Sequence, residues 1–284
     1  MHAHAAQADG TIHQDWDAYT HEEHAVWRVL FERQTRCLPA LACEAFVRGM
    51  QRLPMGADCI PDFDRLSDAL EKQTGWRIVA VPGLLPDAVF FNHLAQRRFP
   101  SGRFIRQQDQ LDYLQEPDVF HDVFGHVPML MHPVIADFIQ LYGQAGLAAQ
   151  SIGKLTELAR VYWYTVEFGL VRERGKSLIY GAGIASSFAE SRFAVQSPSP
   201  NRIAFDLERV MRTSYRIDDF QESYFVLDRL DDLLALAEIE FAPYYAKLDQ
   251  GPTYQPGEVL AQDQLVHRGD GSYHRGRESF GSMH

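Results

Sequence analysis

Two histidines and one glutamate are the residues of this chain best suited to chemistry. His121 and His126 stand five residues apart in Pro117-Asp-Val-Phe-His121-Asp-Val-Phe-Gly-His126-Val-Pro128, a short, mostly apolar segment closed by proline. Glu167 lies among aromatic residues in Arg160-Val-Tyr-Trp-Tyr-Thr-Val-Glu167-Phe168-Gly169. Two imidazoles and a carboxylate form the facial triad that holds Fe(II) and leaves positions open for oxygen. Convergence of the three would make the chain an oxygen-using iron enzyme.

Spacing alone does not force that convergence. On a straight α-helix five residues turn about 500°, which leaves His121 and His126 about 140° apart. The zinc-binding pair of HExxH, by contrast, is four residues and about 40° apart. Both imidazoles reach one ion only if the helix frays near Gly125 or ends before His126, and Gly125 and Pro128 supply reasons for such an irregularity. Spacing also leaves the third ligand open among Glu116, Asp118, Asp122 and Glu167. Glu167 is the strongest, because Trp163, Tyr164 and Leu170 share its helical face. A carboxylate there is costly to bury without a cation or metal. An Arg160–Glu167 ion pair at the helix edge is the competing reading. Arg106 follows a Phe-Ile pair and reads either as a buried carboxylate clamp or as a surface ion pair. Gly181-Ala-Gly-Ile-Ala matches neither GxGxxG nor the P-loop, so a tight turn offering Ser186 and Ser187 to a neighbouring site is expected there.

The elements that must position these residues read as mainly α (α+β): one compact catalytic domain of many helices with a few short strands. Residues 1–18, with His2, His4 and His13, read as a flexible tail. The domain spans 19–250 and opens with a capping box at Thr20-His-Glu-Glu23. Helices are predicted to Pro39, over 41–53 and 62–74, from Pro86 to before Phe99, and near 117–127, 133–145, 154–171, 203–213 and 228–240. Short strands are predicted at 76–81, 102–106, 177–180 and 215–217. Residues 251–284, polar and rich in Gly and His, read as extended or disordered.

Composition excludes several classes. With 284 residues, 46% hydrophobic and 23% charged, the chain is an ordinary globular protein. A net charge of −11 without a basic stripe argues against nucleic acid. No apolar run approaches the roughly 18 residues of a membrane span. The start MHAHAAQADG lacks a basic, apolar leader, so export is not expected. Cys37, Cys43 and Cys59 form no CxxC pair and read as reduced thiols of a cytoplasmic protein.

Three segments in order, Gln110 through Pro128, Tyr162-Trp-Tyr-Thr-Val-Glu167-Phe-Gly-Leu and Tyr180-Gly-Ala-Gly-Ile-Ala-Ser-Ser, resemble the pterin-dependent aromatic amino acid hydroxylases, most of all the short bacterial phenylalanine 4-hydroxylases. The likeness runs from about Thr20 to Leu248. It implies Fe(II) held by His121, His126 and Glu167, with tetrahydrobiopterin or a related tetrahydropterin as the second cofactor. It further implies that Arg106, assisted by Ser186, grips the substrate carboxylate, and that Trp163, Phe168 and Pro117 wall the substrate ring. Phe90 would stack on the pterin, with Leu85, Ala159 and Tyr162 beside it. Asp122 occupies a position that is glutamate in the animal enzymes, and its shorter side chain leaves a direct pterin contact open. Pro100 stands where those enzymes carry a pterin-side histidine. Tyrosine hydroxylases of the family carry an acidic residue where Ile217 sits, so an apolar residue favours phenylalanine and leaves tryptophan open. The partners implied are L-phenylalanine, O2 and the tetrahydropterin. No counterpart of the animal enzymes' tetramerisation helix is present, so a monomer is expected. Two readings from other classes are a zinc hydrolase, which lacks an HExxH, and a protein with a closed structural metal site.

Overall fold

A hydroxyl starts the first helix. Thr20 accepts the Glu23 N–H at 3.2 Å while the Glu23 carboxylate accepts the Thr20 N–H at 2.7 Å, so the capping box is present. The computed structural model describes residues 7–112, 116–237 and 239–281; His2 and His4 lie outside them. Thirteen α-helices are described: α1 His21–Leu41, α2 Glu44–Arg52, α3 Phe63–Thr74, α4 Asp87–Ala95, α5 Val127–Leu130, α6 Pro133–Ser151, α7 Leu155–Tyr162, α8 Ala182–Ser186, α9 Phe188–Gln196, α10 Leu207–Met211, α11 Asp232–Ala237, α12 Ala242–Leu248 and α13 Ser272–Gly281. The strands are β1 Arg77–Val81, β2 Arg98–Gly102, β3 Leu170–Glu173, β4 Lys176–Ile179, β5 Asn201–Ala204, β6 Ser223–Leu227 and β7 Leu265–His267. β1 and β2 form a parallel pair, and the others a mixed sheet in the order β4-β3-β6-β5-β7. The fold is mainly helical with few strands, as expected.

Helices surround the segment that carries both histidines. Trp27 of α1 meets Phe120 edge-on at 5.3 Å, and Phe31 meets Phe124 at 5.5 Å. Phe120 and Phe124 stack on each other at 4.7 Å, and all but Phe31 are buried. Burying an aromatic side chain contributes on the order of 2–3 kcal/mol, so this layer fixes the histidine segment firmly. α4 lies against α6 because Gly146 has no Cβ; one added there would fall 2.1 Å from the Phe91 ring. No helix among the described residues is long and apolar enough to cross a membrane.

Several boundaries differ from expectation. α1 continues through Pro39, which sits in its last turn, where a missing N–H interrupts few further bonds. The second strand is β2, Arg98–Gly102, not 102–106, because it pairs with β1 from Arg77↔Arg98 to Val81↔Gly102. The strand expected at 215–217 is loop, and β6 follows it at Ser223. Neither terminal segment is a free tail over its described length. Ile12 donates its N–H to the Ala80 carbonyl at 2.9 Å, Asp9 pairs with Arg98 at 2.8 Å, and the Trp16 indole donates to the Ile60 carbonyl at 2.6 Å. Thr11, through its hydroxyl and its N–H, holds the Asp9 carboxyl well below the usual range. At the other end β7 adds to β5, Asp263 forms a buried pair with Arg209 at 2.9 Å, and α13 packs on α9, its Tyr273 ring 5.1 Å from that of Phe193. Composition misled here: these segments are held by hydrogen bonds and a few rings, not by an apolar run.

Glu190 of α9 is buried with no ion-pair partner among the described residues. Burial pushes its carboxyl up to about 7, against the Tyr224 hydroxyl at 2.7 Å and the Gln221 N–H, which favour the ion. The folded state therefore holds a proton that the unfolded chain releases near pH 4.5, and stability falls as pH rises from there to about 7. Glu190→Gln keeps the accepting oxygen and removes the titration. It is expected to exceed the parent in stability by about 3 kcal/mol at pH 8, with the gap closing towards pH 4.5, as read by urea unfolding at several pH values.

Candidate metal and substrate site

The His121–His126 spacing resolves through an unusual helix. Phe120–His126 is a π-helix, entered from Val119 and continued by α5. In a π-helix, residues five apart stand one above the other, as residues four apart do in an α-helix. Both imidazoles thus leave one face without fraying. A second π segment, Trp163–Glu167, ends α7, and its widened ring is closed by the Phe168 N–H donating to the Trp163 carbonyl at 2.7 Å. This turn delivers Glu167 to the same point.

Three ligand atoms meet there. The Nε2 atoms of His121 and His126 lie 3.3 Å apart, His126 Nε2 is 3.2 Å from Glu167 Oε1, and His121 Nε2 is 3.5 Å from Glu167 Oε2. One donor atom from each residue falls within a 4.8 Å cluster. Burial lowers the His121 imidazole to about 4, against the pull of Glu167, so the ring is neutral and its lone pair free to ligate. Burial alone would raise the Glu167 carboxyl; the two imidazoles overcome it and bring the carboxyl below its ordinary value. Two imidazole nitrogens with a carboxylate suit a divalent transition metal, and the donor set fits iron of the facial-triad type. Arg160 instead donates to the Met211 carbonyl at 2.7 Å.

Ser186 and the glycines of the small-residue stretch support this cluster. His121 Nδ1 lies 3.0 Å from Ser186 Oγ, which holds the ring with Nε2 turned inward. That contact differs from the carboxylate-gripping role implied for Ser186. The stretch forms α8 rather than a bare loop. A Cβ on Gly181 would fall 2.4 Å from the Glu167 carbonyl, and one on Gly183 would fall 3.2 Å from Glu167 Oε2. Only glycine lets α8 lie so close to the carboxylate.

Arg106 is buried and already engaged. Its Nε and Nη2 donate to Asp118 Oδ2 and Oδ1 at 2.8 and 2.9 Å, and its backbone N–H donates to Oδ2 at 2.9 Å. Asp118, fully buried, also accepts the His121 N–H at 3.0 Å. Asp118 is thus no member of the ligand cluster but the anchor of Arg106, whose Nη1 makes no hydrogen bond among the described residues. The signal available in the sequence was its place three residues before His121, a helix-capping offset.

Aromatic rings extend the site. Phe168 packs on Trp163 at 4.6 Å, and Trp163 stacks on Tyr215 at 4.2 Å and 14°. Towards α4, Tyr162 lies 6.3 Å from the His126 ring in near-parallel fashion and meets half-buried Phe90 edge-on at 6.2 Å. Leu85 and Ala159 are half-buried, and Asp122 accepts the Gly102 N–H at 2.8 Å at the end of β2. Burial pushes the Asp122 carboxyl up to about 7. Pro100 lies buried within β2. Pro117 and Ile217 are exposed, Ile217 at 63%, outside the packed aromatic layer. Tyr215 and Gln221, which hold Trp163, were not foreseen.

A fold of this kind with two imidazoles and a carboxylate set on π-turns has close counterparts. The family model for biopterin-dependent aromatic amino acid hydroxylases matches residues 14–250, and the chain belongs to that family. A phenylalanine-4-hydroxylase of Caulobacter vibrioides is 54% identical over 94% of this chain and 91% of its own length. The structure of Chromobacterium violaceum phenylalanine hydroxylase with bound oxidised Fe(III) superposes with a TM-score of 0.89 at 50% identity, covering 93% of this chain and 96% of that one. The iron- and phenylalanine-bound structure of the same enzyme gives 0.88 at 48% identity, with 93% and 96% covered.

Proposed function

We propose that this chain is a phenylalanine 4-monooxygenase, converting L-phenylalanine to L-tyrosine with O2 and a tetrahydropterin at a mononuclear non-heme Fe(II) centre held by His121, His126 and Glu167. The carrying observation is the meeting of two imidazole Nε2 atoms and one carboxylate next to a layer of rings, in a member of a pterin-dependent hydroxylase family. The named relatives act on phenylalanine, and none of these observations favours tryptophan hydroxylation or zinc hydrolysis. The enzyme works in the cytoplasm as a monomer; its three cysteines are free thiols.

When bound, iron and tetrahydropterin supply the activation of O2 that no side chain can. The chain's own residues bind, orient and shield. His121 and His126 would hold the metal through their Nε2 atoms, with Ser186 fixing the tilt of His121. Arg106, pre-set by Asp118, turns its remaining N–H groups to the amino acid carboxylate, a charge-assisted contact. Trp163 and Phe168 wall the substrate ring, exposed Pro117 and Ile217 flank it on the solvent side, and an apolar Ile217 gives a phenol no charged partner. Phe90 offers a ring face to the pterin, with Leu85, Ala159, Tyr162 and Asp122 around it. Confining both rings fixes their approach and keeps water from the reacting atoms.

The test is an aerobic assay with phenylalanine, tetrahydropterin and Fe(II), following tyrosine by chromatography and omitting each component in turn. Tyrosine should appear only with the complete mixture, and its absence there would end this reading. Ser186→Ala frees the His121 ring, and metal affinity is expected to fall about 10- to 100-fold. Competition against a chelator measures it, and unchanged affinity would remove Ser186 from this role.

A further inference from the structure

The family match ends at residue 250, yet α13 packs on Phe220, the neighbour of the Gln221 that bonds Trp163. Its start is pinned to the turn before β5: the Tyr273 N–H donates to Ser199 Oγ at 3.0 Å, and the Gly269 N–H to Asn201 Oδ1 at 2.9 Å. From that footing α13 holds the loop between α10 and β6. The Tyr273 ring stacks on Phe220 at 5.2 Å. Its hydroxyl donates to Asp219 Oδ1 at 2.9 Å, and Arg277 Nη1 donates to the same oxygen at 2.8 Å. His274 Nε2 lies 2.9 Å from the Phe220 carbonyl.

The far side of this loop holds the ring wall. Gln221 is buried; its Oε1 accepts the Trp163 indole N–H at 2.9 Å, and its Nε2 donates to the Arg216 carbonyl at 2.9 Å. Tyr215, at the start of the same loop, stacks on Trp163. Residues 215–221 are therefore held between Trp163 and α13. Exposed Ile217 contributes little burial of its own to fix the loop.

We propose that α13 is a clamp that positions the substrate-ring wall: Tyr273, His274 and Arg277 hold the 215–221 loop and, through Gln221, the indole of Trp163. The C-terminal helix then sets affinity and selectivity for the aromatic amino acid without touching it. This rests on the reading that Trp163 and Phe168 wall the phenylalanine ring. Small displacements of positioning groups far from the reacting atoms are known to have large kinetic effects.

The test uses the full-length, iron-loaded enzyme with Tyr273→Ala, and with Tyr273→Phe, which keeps the stack. Tyr273→Ala is expected to raise the KM for phenylalanine about 10-fold, with the tetrahydropterin KM and iron content within about two-fold of the parent. The phenylalanine-over-tryptophan ratio of kcat/KM should shift about five-fold, and Tyr273→Phe should restore most of both changes. An unchanged phenylalanine KM and ratio in Tyr273→Ala would overturn the clamp. So would a parallel loss of phenylalanine affinity, pterin affinity and iron, which marks general loosening. Should Tyr273→Ala not fold, Tyr273→Leu, which keeps apolar bulk but removes the ring stack and the hydroxyl, takes its place, and an unchanged KM there overturns the proposal equally. A parent enzyme that makes no tyrosine defeats the functional reading itself, whereas normal parent turnover with an indifferent Tyr273→Ala defeats only the clamp.

Discussion

Glu167→Ala is expected to yield a folded protein that neither retains iron nor forms tyrosine. Glu167 supplies the only carboxylate of the three-residue cluster, 3.2 and 3.5 Å from the two Nε2 atoms. Loss of groups that merely support a ligand weakens metal binding by about 10- to 100-fold, so loss of the ligand itself should exceed the upper figure. The fold should survive, because the side chain lies at the end of a π-turn whose backbone closes through the Phe168 N–H. Metal analysis after desalting, circular dichroism and product chromatography on one preparation separate these effects. Full iron content with normal turnover would strike Glu167 from the ligand set.

Arg106→Ala should weaken the grip on phenylalanine roughly 10- to 150-fold, the equivalent of about 1.5–3 kcal/mol for a charge-assisted contact. The structure adds a second consequence. Asp118 is fully buried and would lose both guanidinium partners, keeping only the backbone N–H groups of residue 106 and His121. Breaking a buried pair in this way costs about 3–5 kcal/mol of stability. Affinity by calorimetry and stability by denaturant should therefore fall together. Arg106→Lys should restore the charge but not the two-pronged contact with Asp118, and recover only part of each. An unchanged phenylalanine affinity in a folded Arg106→Ala protein would remove Arg106 from the substrate site.

The residues of the site were more legible than the backbone that unites them. Glu167 stood out as a carboxylate among apolar neighbours, and the two histidines by their type. Their joint orientation did not follow, because an α-helical reading separates them by about 140° and no residue type marks a π-turn. Glycine and proline in the segment suggested fraying; the chain instead widens its helix and keeps it. Asp118 was legible as an acid near a histidine but not as the partner of Arg106, since a pairing across twelve residues depends on how β2 leads into the π-helix. The helical class and several helix ends came from caps and periodicity. Strand positions slipped because short parallel strands take their register from a partner, as β2 does from β1. The terminal segments were misjudged for a related reason: the order of α13 depends on single contacts to Ser199, Asp219 and Phe220 that composition does not encode.

Asp118 Oδ1 receives two donors, Arg106 Nη2 at 2.9 Å and the His121 N–H at 3.0 Å. One oxygen atom is thus a shared joint between the arginine proposed to hold the amino acid and the first turn that carries a proposed ligand to iron. A shift of the guanidinium on binding alters the pull on that turn, and a shift of the turn alters the guanidinium. Thermodynamic reciprocity then requires that whatever factor the metal lends to amino acid affinity, the amino acid returns to the metal.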